Sequence, residues 1–285
     1  MSTAPQIAVR EREALMRDLH EAYMEVFPAP GIEKKLEILE PNSYVAVTCS
    51  PTKGVDETIA LTRRLRNQGF RVVPHVAAKC VRDHAHLERI MAELAELRVK
   101  SLFVPGGDAS EPAGEFETAL QLLEAIAFYD HDLREIGVAA HPEGHPEVDD
   151  DTLFRVLEAK QDYAQYMVTQ MCFDADLLGR WLWDLRERGI TMPVWIGLPG
   201  VIERTTLMKT SMRIGVGDSL KFLKRNPKAA AQLLKQSVYK PDDLVRGLAK
   251  YQADPEYRIA GYHLFCFNQV ERTEAWRHEA IAALS

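Results

Sequence analysis

The sequence has no apolar run approaching twenty residues, so a membrane-spanning helix is not expected. Its first stretch, MSTAPQIAVREREALM, has no apolar signal core, which points to a cytoplasmic protein. It has four cysteines, none in C-x-x-C spacing. In a chain of 285 residues these are not a disulfide framework, and a reduced compartment is expected. It also lacks excess positive charge: 42 acidic against 35 basic residues leave a net charge of -7, which argues against a nucleic-acid surface. No glycine-rich dinucleotide loop follows the first strands, and VPGGD has no lysine or hydroxyl partner of a phosphate loop. Neither an internal repeat nor a linker is visible, so residues 1–285 read as one domain, with apolar content of 46% to fill a core.

What is present is alternation. Strand patterns at 23–27, 44–48, 70–76, 100–104, 136–140, 166–169, 193–196 and within 258–267 alternate with helical patterns at 32–39, 56–67, 84–97, 116–129, 151–163, 174–188 and 271–284. A further helix is expected at 9–20. The sixty residues after 196 show four helical patterns, at 204–212, 219–225, 228–237 and 242–251, and no clear strand. Eight strand–helix units in a chain of this size predict an α/β (β/α)₈ TIM barrel with an extra helical segment before the last strand. An open doubly wound sheet is the rival, but it usually carries the glycine-rich loop missing here.

In such a barrel, chemistry sits where strands end. The clearest end is IGVAAHPEGHP, an unalternated apolar strand running into a turn that carries His141, Glu143 and His145 and is stiffened by Pro142 and Pro146. Glu25 interrupts the apolar strand YMEVF; alternation puts it on the face of Tyr23 and Phe27, opposite Met24 and Val26. If the latter pair meets the helices, Glu25 points into the barrel mouth, where apolar surroundings suit it to hold a proton. The alternative is an edge glutamate reaching solvent. Asp108 in VPGGD either receives a ligand N–H or caps its own turn. Gln170 ends YMVTQ with one donor and one acceptor for a heterocycle edge, or bonds neighbouring loops. Asn268 is open to either kind of role. Asp174 reads as a helix cap, and Trp181, Trp183 and Phe222 as outer-shell core. No metal is expected: H-P-E-G-H matches no zinc spacing, and Cys49, Cys80, Cys172 and Cys266, though near strand ends, are not paired in sequence.

Taken together, YMEVFPAP, VAVTC, VVPHVAAK, VPGGD, GVAAHPEGHPE, VTQMCFDAD, GITMPVWIGLPG and FCFN resemble the methylenetetrahydrofolate reductase family over roughly residues 20–268. The resemblance implies reduction of 5,10-methylenetetrahydrofolate to its 5-methyl form. It implies Glu25 as general acid, Asp108 and Gln170 as folate-binding residues, and His141, His145 and Lys160 as cofactor-binding residues. The sequence departs from the family at the flavin: Gly106 replaces an arginine, His141 a tyrosine, and Leu153 and Val156 an aspartate and an asparagine. This is similar to the divergent flavin-independent branch found in actinobacteria. It implies hydride from NADH, with NADPH as the variant, and no FAD. An FAD-dependent reductase, a folate- or corrinoid-linked methyltransferase and a non-enzymatic regulator on the same barrel are the alternatives. Lys53, Lys209 and Arg213 are candidates for the substrate's glutamate tail, and oligomeric state is not legible.

Overall fold

The computed structural model of the chain describes residues 8–145, 147–203, 205–207 and 238–285. Eight parallel strands form the centre: β1 (Tyr23–Val26), β2 (Tyr44–Val47), β3 (Arg71–Pro74), β4 (Ser101–Val104), β5 (Glu135–Ala140), β6 (Tyr166–Thr169), β7 (Val194–Pro199) and β10 (Ile259–Phe265). Their spatial order is β3-β2-β1-β10-β7-β6-β5-β4, and a parallel bridge between His75 and Phe103 brings the two ends together. The result is the (β/α)₈ barrel expected from the sequence. Between β7 and β10 lie two-residue strands, β8 (Ile202–Glu203) and β9 (Val238–Tyr239), paired antiparallel. Sequence periodicity gave no sign of them, because two residues carry no alternation. Of the helix expected at 204–212, residues 205–207 are helical; the rest of it and the helices expected at 219–225 and 228–237, with Phe222, Lys209 and Arg213, lie outside the described residues, as does Pro146.

The helices are α1 (Val9–His20), α2 (Ile32–Leu36), α3 (Gly54–Asn67), α4 (His84–Glu96), α5 (Ala119–Ile126), α6 (Asp150–Lys160), α7 (Ala175–Glu187), α8 (Asp242–Gln252) and α9 (Val270–Leu284). Their starts follow from capping chemistry. Asp83 accepts from His86 N at 2.7 Å, Asp149 from Thr152 N at 2.9 Å, and Asp174 from Asp176 N and Leu177 N at 2.9 and 3.0 Å. Helix α5 is shorter than its pattern because Thr118 and Gln121 form a capping box there, which leaves buried Phe116 ahead of the helix.

Alternation along each strand sorts side chains to two sides. Met24, Val26, Val45, Val47 and Val72 join the apolar layer under the helices, while Tyr23, Ala46, Val73, Phe103, Tyr166 and Val168 fill the barrel. Rings inside need glycine opposite: a Cβ on Gly137 would sit 2.2 Å from the Tyr166 ring, and one on Gly261 2.5 Å from Trp195. Arg277 ties α9 to the end of α1, donating to Leu19 O at 3.1 Å, to His20 O at 2.9 Å and to the buried Glu274 carboxylate at 2.6 Å. Among the described residues, no helix is long and apolar enough to cross a membrane.

Candidate active site

Since Met24 and Val26 face the helices, Glu25 faces the interior, its side chain 16% exposed at the upper end of β1. The pocket is not purely apolar, as the sequence suggested. His263 on β10, aligned with Tyr23, brings Nε2 to 2.8 Å from Glu25 Oε2. His75, just beyond β3, holds Nε2 3.9 Å from the same oxygen. Burial pushes the His75 pKa down to about 4, with the Glu25 charge opposing and His263 assisting, so the ring is neutral near pH 7. Sequence reasoning passed over both histidines. The available signal was a polar residue inside the apolar run GYHLF, the same signal that singled out Glu25.

Asp108 stands exposed on the turn after β4. Gly107 has φ of 97°, and a Cβ there would lie 3.1 Å from that of Ala77, so this turn requires glycine. Ala78 N and Lys79 N donate to Pro105 O and Gly106 O, both at 3.0 Å, which holds the Asp108 turn against residues 77–80. A Cβ on Gly106, by contrast, meets nothing within 4 Å. Beside Asp108, the thiols of Cys49 and Cys80 hydrogen-bond each other; this lowers the pKa of Cys80 and raises that of Cys49. Gln170 follows β6, and its Oε1 accepts from Met171 N at 2.8 Å. Glu25, Asp108 and Gln170 thus share the C-terminal mouth, and among the described residues no hydrogen bond joins them.

A second hollow, of about 430 Å³, opens beside the end of β5 and between α6 and α7. His141, Leu153, Val156 and Lys160 line it, with Arg180, Glu143, Asp150 and Asp184 as its further charged groups. Burial pushes the Lys160 pKa down to about 8 and, aided by His145 and Lys160, that of His141 to about 4. His145 does not line the hollow; its ring meets that of His141 edge-on at 5.2 Å. Two of the three expected cofactor residues are therefore together, and the third supports one of them.

Other candidates have structural duties. Asn268 exchanges two hydrogen bonds with the Phe27 backbone, both at 3.0 Å, and ties the ends of β10 and β1. Lys53 donates to Pro28 O. Trp181 is buried, but Trp183, expected in the core, is 46% exposed and lies beside Tyr257. The correction follows from helix geometry: two residues apart on α7, the rings cannot share one face.

Residues 32–216 match the family model described as methylenetetrahydrofolate reductase. The chain belongs to this family. It is 36% identical over 93 residues to methylenetetrahydrofolate reductase 1 of Schizosaccharomyces pombe, covering 32% of this chain and 15% of that one. It is 28% identical over 134 residues to a probable methylenetetrahydrofolate reductase (NADH) of rice, and 29% over 136 residues to methylenetetrahydrofolate reductase (NADH) 1 of maize. Those two matches cover 41% and 42% of this chain, and each covers 23% of the relative. The matched stretches are thus under a quarter of these relatives' lengths. Among solved structures, oxaloacetate acetylhydrolase with 3,3-difluorooxalacetate has a TM-score of 0.45 at 10% identity, over 68% of this chain and 73% of that one. The reductase-family match contains His75, Asp108, His141, His145, Lys160 and Gln170, whereas Glu25 and His263 lie outside it.

Proposed function

We propose that the chain reduces 5,10-methylenetetrahydrofolate to 5-methyltetrahydrofolate with hydride taken directly from NADH. The observation that carries this is the Glu25 carboxylate inside the mouth of a reductase-family barrel, hydrogen-bonded to a buried imidazole. The folate's closed five-membered ring is a poor hydride acceptor. Protonating an amine nitrogen opens it to an iminium whose carbon accepts hydride and becomes methyl. Glu25 supplies that proton, directly or through one water. His263 Nε2 accepts a hydrogen bond from protonated Glu25 or donates one to its carboxylate, so one neighbour serves both states. Asp108 and Gln170, from the same rim, orient the pterin through N–H and carbonyl groups.

The hollow with Lys160 and Arg180 takes the dinucleotide. Its cations suit a diphosphate, and its aspartates suit a ribose diol while disfavouring a 2′-phosphate, which supports NADH over NADPH. The naming of the rice and maize relatives agrees with that choice. The same cations would meet the diphosphate of FAD as well; what the residues do not suit is its ribityl chain and isoalloxazine ring. Leu153, Phe154, Val156, Leu157, Leu177 and Trp181 form the apolar part of the lining, and Gly106, outside that lining, itself offers no side chain to a flavin's polar groups. Each buried polar contact left unmade costs about 1–3 kcal/mol. The free cysteines fit a reducing cytoplasm.

Glu25→Gln keeps the shape and removes the acid. Turnover should fall ~10²–10⁴-fold while folate binding, followed by fluorescence titration, stays within a few-fold. Near-normal turnover in that variant would remove Glu25 from the acid role.

A further inference from the structure

We infer that Glu25, His75 and His263 form a binding site for one divalent transition-metal ion of the zinc class, and that an ion held there excludes the reduction. The exclusion rests on the proposed function; the metal site does not.

Among the described residues, these three are the one group whose metal-type donor atoms all lie within 4.8 Å of one another. The shorter separations, 2.8 and 3.9 Å to Glu25 Oε2, bracket the spacing of donors around an ion at about 2.0–2.2 Å from each. His75 is 5% exposed, and its Nε2, on the Glu25 side, has no hydrogen-bond partner. An orphaned buried nitrogen is costly, and an ion would satisfy it. Both histidines also line an interior void of about 10 Å³, room for about one water.

Two imidazoles and one carboxylate select zinc, cobalt or iron over magnesium or calcium, which prefer all-oxygen shells. Three protein ligands leave a coordination position open toward the mouth. Binding displaces the hydrogen between Glu25 and His263, which moves to Nδ1 or leaves to solvent. Glu25 cannot coordinate the ion and also carry the proton the folate needs.

The test titrates the metal-free full chain with Co²⁺, then with competing Zn²⁺. One ion per chain is expected, with the strong visible absorption of four- or five-coordinate cobalt and no thiolate charge-transfer band. His75→Asn and His263→Asn should each weaken binding more than about tenfold, and His84→Asn on α4 should not. Pulsed electron paramagnetic resonance of the Cu²⁺-loaded wild type should show two imidazole nitrogens, a readout independent of whether the variants fold. Zn²⁺ should inhibit turnover at the concentration at which it displaces Co²⁺, and a chelator should restore it. No saturable binding, unchanged affinity in both variants, or a thiolate band placing the ion at Cys49 and Cys80 would overturn the site. Turnover unaffected by bound Zn²⁺ would overturn the exclusion. Metal-free protein that binds Co²⁺ as described but never turns over would instead count against the reductase reading.

Discussion

Glu25 and its two histidines show how a few buried polar atoms set the chemistry of an otherwise apolar interior. His75 also marks the protein's acid stability. Its folded-state pKa is lowered to about 4, below the ordinary 6.5. Between those values the unfolded chain binds a proton that the folded chain refuses. Stability is therefore full above pH 6.5 and declines as pH falls toward 4, by about 3 kcal/mol for this one group. Urea midpoints should be flat from pH 7 to 8 and fall steeply below 6, and His75→Gln should have a shallower acid limb than wild type. A parallel acid limb would mean His75 is not the source. At the rim, Gln170→Ala should weaken folate binding more than NADH binding in parallel titrations; equal losses would indicate a general distortion instead. Glu25 was legible in the sequence because a carboxylate within an apolar strand needs a reason. His75 and His263 were not, because histidine is common enough in cores to pass without comment, and what joins them to Glu25 is separation in space across three strands.

At the scale of elements, alternation and caps made all eight barrel strands and most helices legible. Asp174, read as a cap in the sequence, accepts the expected backbone hydrogen bonds in the fold, and Asp83 and Asp149 cap their helices in the same way. What escaped was set by partners distant in sequence. The β8–β9 pair is too short to carry a period, and the Arg277–Glu274 clamp between α9 and α1 joins residues more than 250 positions apart to Leu19 and His20. That clamp makes a prediction. Glu274→Ala leaves Arg277 buried without its counter-charge, and loss of one partner of a buried pair costs about 3–5 kcal/mol. Since two backbone carbonyls still accept from Arg277, the lower end is expected, read as a reduced urea midpoint with an unchanged slope. A loss below about 1 kcal/mol would show that α9 is not held by this ion pair.

For the whole molecule, the barrel assembles at one end what the sequence scatters: a glutamate from β1, an imidazole from β10, an aspartate after β4 and a glutamine after β6. The hollow proposed for the dinucleotide lies beside the end of β5, where His141 and Lys160 meet Leu153 and Val156. The departures from the family's flavin-associated residues could be read from the sequence only one by one; the fold shows three of them, His141, Leu153 and Val156, lining one hollow and Gly106 in open space. We propose that hydride passes from NADH to the folate with no carrier between. Single-turnover reduction with NADH deuterated at C4, by protein purified without added flavin, tests this most directly. Hydrogen that visits a reduced flavin exchanges with water, whereas direct transfer cannot lose it. Direct transfer predicts a product methyl group carrying one deuterium from one face of the nicotinamide, in colourless protein. Loss of the label to solvent, or turnover only after FAD is added, would contradict it.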